Sequence, residues 1–329
     1  MSAPTGKTII IAVILLIVGL GIGYALGSAA APSAPPTTVT VTTTVSAGAP
    51  EAATVTITKT TTTTATVTKT VTAAPTAPGL KGKIPIAALL PLTGVLSTFG
   101  ENNKVTFELA VKEVNEWLKA RGEPWELEPI IEDTATDPKT ALDKVRLLHG
   151  KGVKIFVGPM SSAEVREIKA YADANKLLVI SQSSTSPALS IPDDFIFRYC
   201  PDDTIQGPAI ARTIFTAGVR YLIPVWRGDP WGDGLKDATV NAFKKILEKE
   251  GAEGAVHDGI RYDPEAKEFS AEAATLAGYV EDWVKKYGKD KVGVLLISFE
   301  EAAQFFLAAR KYDILWQVKW FGSDGTALN

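Results

Sequence analysis

The sequence predicts an α/β protein with two lobes of parallel sheet, preceded by a transmembrane helix and a disordered stalk. From Lys81 onward, short apolar strands alternate with amphipathic helices, which is typical of parallel sheets covered on both faces. The alternation restarts near residue 204, which indicates a second lobe. Before Lys81 lie one long apolar run and one low-complexity segment. We therefore divide the chain into a membrane anchor or signal peptide (1–31), a Thr-rich disordered stalk (32–80), lobe 1 (81–203) and lobe 2 (204–329).

The composition excludes several classes of function. The 329 residues carry a net charge of −3, and residues 81–329 hold 31 basic and 36 acidic side chains. A mildly acidic body argues against nucleic-acid binding, which needs clustered Lys and Arg. One Cys excludes an internal disulfide framework and a Cys-rich zinc site, and two isolated His argue against a His-based metal site. We expect no metal and no cofactor.

The N-terminal apolar run predicts an exported body. Ile9–Leu26 is just long enough to span a membrane, which takes about 20 apolar residues. Lys7 precedes the run and no basic residue follows until Lys59, so the positive-inside rule places the N-terminus in the cytoplasm. A cleaved signal peptide, with Ala29–Ala31 at the cleavage site, is the alternative and would give a secreted protein. We favour a retained single-pass anchor in the cell membrane, because the stalk that follows is useful only on a tethered protein.

The stalk is Pro32–Pro78, in which 18 of the 36 residues from Thr37 to Thr72 are Thr. With almost no charge and no large apolar face, this segment cannot form a packed core. Thr-rich stretches with Pro are typical of O-glycosylated stalks. The alternation of Thr and Val also has β propensity. We expect the segment to be disordered and to hold the body away from the membrane.

In lobe 1, apolar runs predict strands and helical spacing predicts the helices between them. Asp137-Pro138 opens one helix with an N-cap and a first-turn Pro, and Ser161 with Glu164 forms a capping-box pattern that opens another. The predicted strands are Ile84–Leu90, Glu126–Ile131, Lys154–Val157, Leu177–Ile180 and Phe195–Arg198.

The alternation of strands and helices continues in lobe 2. Helices are predicted over Thr204–Ala217, around Leu235–Leu247, and over Phe269–Tyr287 and Glu300–Lys311. The predicted strands are Tyr221–Val225, Ala255–Ile260, Val292–Ile297 and Gln317–Phe321. Ligands of such sheets bind beyond the carboxyl ends of the strands, where helix N-termini present free N–H groups. The loops at those ends are rich in hydroxyls, Gly and aromatics, with a few acids and no His or Cys.

At these loops the sequence resembles the branched-chain amino-acid-binding proteins of ABC transporters, the Leu/Ile/Val-binding family. The matching pieces follow the family's order over nearly all of residues 81–325. They are Leu90-Pro91-Leu92-Thr93-Gly94 with Phe99-Gly100, Asp133 to Asp137-Pro138, Gly158-Pro159-Met160-Ser161-Ser162, Ile180-Ser181 with Thr185-Ser186-Pro187, Gln206-Gly207-Pro208, Trp231-Gly232, and Gly322-Ser323-Asp324-Gly325.

The resemblance implies the type I periplasmic-binding fold, in which a cleft separates two Rossmann-like lobes. In that family the chain crosses back to finish the first lobe. This chain ends at Asn329, just after the loop of Asp324, so we expect the return crossing to be missing and lobe 2 to be incomplete. An incomplete lobe would leave a sheet flank and a helix-packing surface exposed.

The resemblance also implies which residues grip the zwitterion common to α-amino acids. Ser162 matches the carboxylate-binding hydroxyl, and it lies in the first turn of a helix whose N–H groups favour an anion. Ser183 and Thr185 match the next loop, which supplies backbone groups and a hydroxyl. Asp324 matches the acid that pairs with the ammonium group, where the family has the longer Glu. Each assignment has a structural alternative. For Ser162 it is a second capping hydroxyl, for Ser183 and Thr185 an ordinary Ser/Thr turn, and for Asp324 a turn acid between two glycines.

Two aromatic residues match the walls of the cleft, Phe99 in lobe 1 and Trp231 in lobe 2. Aromatic rings offer apolar area and can cover an ammonium group, although each could equally be a packing residue under a loop. Ser298 lies where the family carries an aromatic contact, so this departure is expected to enlarge or polarise the pocket. Phe299 next to it could substitute.

These features predict an extracytoplasmic solute-binding protein of an ABC importer that binds an amino acid, branched-chain or similar, or a related small polar metabolite. Its expected partners are that ligand and an ABC permease in the membrane, and a monomer is expected. We expect no enzyme activity, since the sequence has no Gly-x-Ser-x-Gly elbow and neither His follows a predicted strand end. The alternatives are a ligand-sensing ectodomain and, less favoured, an exported amidase or hydrolase.

Overall fold

A computed structural model describes residues 39–43, 55–59 and 79–327. The chain divides into two compact units, Met1–Gly79 and Leu80–Asn329. The apolar run Ile9–Leu26 and the Ala29–Ala31 cleavage site both lie outside the described residues. Among the helices of the described residues, none combines the length and the apolar character needed to cross a membrane.

Part of the predicted stalk forms regular structure. Strands β1 (Val39–Thr43) and β2 (Val55–Lys59) pair antiparallel, with Val39 opposite Lys59 and Thr43 opposite Val55. Ten residues of the predicted stalk are thus extended strands in the structure, and the disordered stalk as a whole stays a prediction. The reason for these strands is the alternation of Thr with Val or Ile, because β-branched residues favour extended backbone.

The first lobe is a five-stranded parallel sheet in the order β4-β3-β5-β6-β7. Its register brings Ile86 opposite Ile155 and Ile155 opposite Leu178. The elements of this lobe are β3 (Gly82–Leu90), α1 (Ser97–Ala120), β4 (Trp125–Asp133), α2 (Pro138–Gly150), β5 (Ile155–Val157), α3 (Ser162–Asn175), β6 (Leu178–Ser181) and β7 (Ile196–Arg198).

The second lobe has a parallel sheet in the order β10-β8-β11-β12, with β9 paired to β8. The chain enters it directly after β7. Its elements are α4 (Asp203–Thr216), β8 (Tyr221–Arg227), α5 (Pro230–Lys249), β9 (Ala255–Val256), β10 (Ile260–Tyr262), α6 (Ser270–Tyr287), β11 (Val292–Ile297), α7 (Ala302–Ala309) and β12 (Lys319–Phe321).

One predicted strand of this lobe is broken. Ala255–Ile260 is predicted as a single strand, but the structure has two short strands, β9 and β10, separated at His257–Gly259. Gly259 has a φ of +78°, and a Cβ at this position would lie 2.1 Å from the carbonyl oxygen of Pro224. The chain therefore needs a glycine to pass close to β8, and this conformation interrupts the extended run.

The predicted helix starts are confirmed at α2 and α3. The Asp137 carboxylate accepts a hydrogen bond from the Thr140 N–H at 2.7 Å, and Pro138 occupies the first turn of α2. At α3, the Ser161 hydroxyl accepts from the Glu164 N–H and the Glu164 carboxylate accepts from the Ser161 N–H. Capping satisfies backbone groups that a helix end otherwise leaves unpaired. It places Ser162 as the first residue of α3.

The two faces of the first sheet are covered unequally. One face packs on α2 and α3 through a large core that includes Leu89, Phe156 and Ile168. The opposite face carries a smaller core in which Phe107 and Val111 of α1 meet Ala88 and Leu90. On α1, the side chains of Val105, Leu109 and Trp117 are more than half exposed, so this helix presents apolar surface to solvent.

Candidate functional site

A small cavity lies where loops of both lobes meet, at the carboxyl ends of the strands. Its volume is about 140 Å³. Five of the seven predicted ligand-binding residues line it, and Thr185 and Ser298 do not. The lining residues are Leu96, Phe99, Met160, Ser161, Ser162 and Ser183 from the first lobe, and Trp231, Phe299, Asp324 and Gly325 from the second.

Ser162 lies at the N-terminus of α3 with 2% of its surface exposed. Its Oγ accepts a hydrogen bond from the Ser186 N–H at 3.1 Å. The hydroxyl proton stays available for donation, because a serine hydroxyl both accepts and donates. Free N–H groups and the dipole of the helix favour negative charge beside this hydroxyl.

Ser183 and Thr185 follow β6, but the structure places them differently. Ser183 lines the cavity. The Thr185 hydroxyl is buried and faces the Asp203 carboxylate, but it makes no hydrogen bond of normal geometry among the described residues. The Thr185 carbonyl accepts from the Asp203 N–H at 2.9 Å. This bond joins the loop of the first lobe to the start of α4.

Asp324 enters the cavity from the second lobe. It begins a short 3-10 turn, Asp324–Thr326, directly after β12. One carboxylate oxygen accepts from the Gln206 side chain at 2.9 Å, and the carboxylate makes no ion pair with any side chain of the described residues. The acid therefore remains available to a positive charge in the cavity.

An aromatic stack forms one wall. The rings of Trp231 and Phe299 are 4.3 Å apart between centroids, with planes inclined by 15°, and both side chains are buried. Phe99 lines the cavity from the first lobe. At Gly325, a Cβ would lie 2.6 Å from the Trp231 ring and 2.5 Å from the Ser298 carbonyl oxygen. Only glycine lets the Asp324 turn approach the stack this closely.

Behind the stack lies a buried ionic cluster centred on Arg227. Its guanidinium carbon is 4.9 Å from the Phe299 ring centroid. Its nitrogens donate to Asp229 at 2.6 Å and to Glu301 at 2.9 Å. Burial by itself would lower the pKa of Arg227, but the charges of Glu301 and Asp229 outweigh that effect and raise it. The cation is therefore held permanently against the back of Phe299.

Asp229 also positions Trp231 directly. Its second oxygen accepts from the N–H groups of Trp231 at 3.0 Å and of Gly232 at 2.9 Å, as the N-cap of α5. One carboxylate thus joins the Arg227 cluster to the helix that carries the indole. Sequence reasoning missed this cluster. The available signal was the pair of charged residues, Arg227 and Asp229, at the end of the apolar strand β8.

Ser298 does not line this cavity, and its part in ligand binding stays a prediction. Its side chain is buried, and its hydroxyl donates to the carbonyl oxygen of Phe299 at 3.2 Å. Phe299 lines the cavity, whereas Ser298 does not. Phe299 therefore lies at the cavity where the sequence alternative placed it, next to Ser298.

Sequence reasoning also passed over Asp203, the first residue of α4. Its side chain is fully buried, and neither carboxylate oxygen makes a hydrogen bond of normal geometry among the described residues, although the Thr185 hydroxyl lies near enough to counteract part of the rise in its pKa. Burial, followed by the charge of Asp324, raises the pKa of Asp203 to about 7. An acid after Asp202 at a helix start reads as a first-turn charge, so the sequence offers no signal for its burial.

Comparison with known proteins agrees with this architecture. Residues 83–314 match the family model described as periplasmic binding protein. An uncharacterized protein of Methanocaldococcus jannaschii is 35% identical over 252 residues, covering 74% of this chain and 57% of that protein. A Leu/Ile/Val-binding protein of Rhizobium johnstonii is 27% identical over 252 residues, covering 76% of this chain and 63% of that protein. The chain thus spans less than two thirds of the length of either relative.

Solved structures show the same fold. A leucine-binding protein of Thermotoga maritima superposes with a TM-score of 0.61 at 22% identity, covering 74% of this chain and 63% of that chain. A branched-chain amino acid transporter substrate-binding protein of Streptococcus pneumoniae, solved with isoleucine, gives 0.58 at 20% identity, covering 74% and 64%. The predicted α/β fold with parallel sheets is confirmed as the type I periplasmic-binding fold. With its family match over most of residues 80–327, the chain belongs to the periplasmic binding protein family.

Proposed function

We propose that the chain binds an amino acid, branched-chain or similar, or a related small polar metabolite between its lobes, as the extracytoplasmic solute-binding protein of an ABC importer. The observation that carries this proposal is that Ser162 and Asp324 line one cavity from opposite lobes. A zwitterion needs an anion site and a cation site a short distance apart. The cavity, at about 140 Å³, lies below the range of about 300–1,000 Å³ typical of drug-sized ligands, so the guest is small.

Each end of the guest has a chemical counterpart. The carboxylate would accept from the Ser162 hydroxyl at the N-terminus of α3. The ammonium group would lie at Asp324. The faces of Phe99 and Trp231 would cover the apolar part and contribute cation–π attraction. Binding requires no covalent step, so the proposed function is reversible ligand binding without catalysis.

Closure of the lobes would bury the guest. Several hydrogen bonds already join the lobes, among them those from the Ser186 hydroxyl to the Pro230 carbonyl at 2.7 Å and from the Thr98 N–H to Glu300 at 3.3 Å. A ligand drives closure only through stronger contacts in the closed state than in the open state. Contacts that come from both lobes meet this requirement.

We also propose a partner and a cellular location for the protein. Relatives named Leu/Ile/Val-binding proteins and structural neighbours described as transporter components support delivery of the ligand to an ABC permease. We propose a monomer held at the cell membrane by the N-terminal apolar segment, with the body outside the cytoplasm. The Thr-rich stalk would separate the body from the membrane.

A thermal-shift screen of the twenty amino acids, followed by calorimetry, tests the binding proposal. We expect at least one amino acid to raise the melting temperature and to bind with one-to-one stoichiometry. If no amino acid binds, the zwitterion proposal is wrong.

A further inference from the structure

Resting on the proposed function, we propose that the ligand is an α-amino acid with a side chain no larger than that of serine, and that the closed cleft excludes valine, leucine and isoleucine by size. The proposal names a substrate class within the amino acids. It also names a residue, Met160, that limits the length of the ligand side chain. Three observations support it: the volume of the cavity, the fixed position of its walls, and the charges of its lining.

The cavity has room for few atoms. Its volume is about 140 Å³. A closed cavity of about 150 Å³ in another protein holds benzene, so about six non-hydrogen atoms fill a space of this size. Alanine has that number of non-hydrogen atoms, serine has one more, valine two more and leucine three more. A small amino acid therefore fills the cavity, whereas a branched-chain amino acid needs the walls to move.

The wall from the second lobe is fixed. Trp231 has 3% of its surface exposed and stacks on Phe299, whose ring is in contact with the Arg227 guanidinium group. The turn of Asp324 lies against the same two rings. At Gly325, a Cβ would lie 2.6 Å from the Trp231 ring and 2.9 Å from the Phe299 ring. A protein interior packed this densely leaves the rings no space into which to withdraw.

The wall from the first lobe is fixed as well. It is the segment Leu96–Phe99, which leads into α1, and Gly100 directly after it lies against the loop that follows β3. A Cβ at Gly100 would lie 2.0 Å from the Pro91 carbonyl oxygen. The Leu96 N–H also donates to the Thr136 hydroxyl oxygen at 3.3 Å. This segment therefore cannot shift without breaking contacts within its own lobe.

Glu300 bridges the two walls. It follows Phe299 directly, its N–H donates to the Val95 carbonyl oxygen at 3.4 Å, and its carboxylate accepts from the Thr98 N–H at 3.3 Å. These two bonds join the lobes on either side of Leu96. A ligand side chain too large for the cavity would have to break them and hold the lobes apart. Open lobes lose the contacts that favour closure, so a large amino acid binds weakly.

The lining of the cavity excludes charged side chains. Asp324 is the one charged residue that lines it, and no Lys, Arg or His of the described residues does. With Asp324 assigned to the ligand ammonium group, a carboxylate on the ligand side chain would be buried without a counterion, which is costly. The hydroxyls of Ser161 and Ser183 can donate to a ligand hydroxyl. The lining therefore matches a methyl or a hydroxymethyl side chain.

Met160 limits the length of the ligand side chain. It precedes the capping residue of α3, lines the cavity, and has 7% of its surface exposed. It belongs to the same hydrophobic cluster as Leu96, Trp231 and Phe299, so its side chain packs among the walls. Met160→Ala would remove most of this side chain and leave space beside the proposed anion site. We therefore expect the variant to accept larger amino acids.

Calorimetry of the full chain with neutral amino acids of increasing size tests the proposal. The series is glycine, alanine, serine, valine and leucine, which share one zwitterion. We expect alanine or serine to bind most tightly, valine at least tenfold more weakly than alanine, and leucine at least 100-fold more weakly, since one methylene too many changes affinity by about 10–200-fold. If any amino acid larger than serine binds as tightly as alanine, the inference is wrong and the proposed function stands. If none of the twenty amino acids binds, the proposed function itself is wrong.

Met160→Ala tests the residue that limits size. We expect it to reduce the ratio of alanine affinity to leucine affinity at least tenfold. Leu247→Ala is the matched control, because Leu247 is 6% exposed and belongs to the same cluster but does not line the cavity. We expect the control to melt at a lower temperature and to keep the wild-type ratio. An unchanged ratio in Met160→Ala, or an equal reduction in both variants, would overturn the role of Met160. The wild-type series needs no variant to fold.

Discussion

The rings of Trp231 and Phe299 lie nearly parallel, 4.3 Å apart, although 68 positions separate the two residues in the chain. One follows β8 and the other follows β11, two strands that pair side by side in the second sheet. The stack exists because parallel strands end at the same edge and deliver their loops to one place. It forms the wall on which the proposed site depends.

Removing either end of the proposed zwitterion clamp should weaken binding. Ser162→Ala removes a hydroxyl beside a helix N-terminus, and Asp324→Ala removes the cavity acid. We expect each change to reduce affinity for the bound amino acid at least tenfold, since a charge-assisted hydrogen bond contributes about 1.5–3 kcal/mol. Titration calorimetry measures the affinity, with Asp237→Ala as the surface control. Unchanged affinity in both site variants would refute the assignment.

Gly325→Ala should disrupt the wall. A Cβ at this position meets the Trp231 ring at 2.6 Å and the Ser298 carbonyl oxygen at 2.5 Å, so the turn must move. We expect a loss of about 1–3 kcal/mol in the free energy of unfolding, together with weaker ligand binding. Gly278→Ala is the control, because a Cβ there meets nothing within 4 Å. We expect it to stabilise α6 by about 0.5–1 kcal/mol in urea unfolding. Equal effects of the two changes would contradict this account.

Arg227→Met should destabilise the second lobe strongly. The change leaves Asp229 and Glu301 buried without their cation, and breaking a buried pair costs about 3–5 kcal/mol. Arg212→Met breaks an exposed pair with Glu250 and should cost at most about 1 kcal/mol. Denaturant unfolding of both variants makes the comparison. A small effect at Arg227 would show that the cluster does not hold the aromatic wall.

Asp203 should make the ligand-free protein less stable as pH rises. Its pKa lies near 7 in the folded state and near 3.8 in the unfolded state, so the folded state binds the proton more tightly. The contribution of this group is complete below about pH 4 and is lost as pH rises through 7. The difference between the two pKa values corresponds to a free energy of unfolding of roughly 4 kcal/mol at most. Asp203→Asn gains less than this at high pH, because its buried amide group also lacks a hydrogen-bond partner, which costs stability.

The measurement is thermal unfolding of Asp203→Asn against the wild type, without ligand. We expect the variant to melt at a higher temperature than the wild type at pH 8, with a smaller or reversed difference at pH 4. Asp237→Asn should show no such pH-dependent difference. If the melting temperature of Asp203→Asn relative to the wild type is the same at pH 4 and pH 8, the raised pKa of Asp203 is contradicted.

Local signals predict much of this fold correctly. The Asp137 cap and the Ser161–Glu164 capping box mark the starts of α2 and α3, because the hydrogen bonds of a cap lie within four residues. Apolar runs locate strands such as Val292–Ile297 in the same way. Local signals fail at Gly259, where the approach of another strand breaks a run that reads as continuous.

The site also has features that the sequence predicts and features that only the tertiary structure reveals. The order of strands and loops is enough to predict that residues such as Ser162 and Asp324 share one edge of the sheets. It does not predict that the Ser298 hydroxyl turns to the Phe299 carbonyl, or that the Asp203 side chain is fully buried. Burial, stacking and the pKa of a carboxyl group depend on groups brought from distant parts of the chain, and only the packing of the two lobes decides which groups meet.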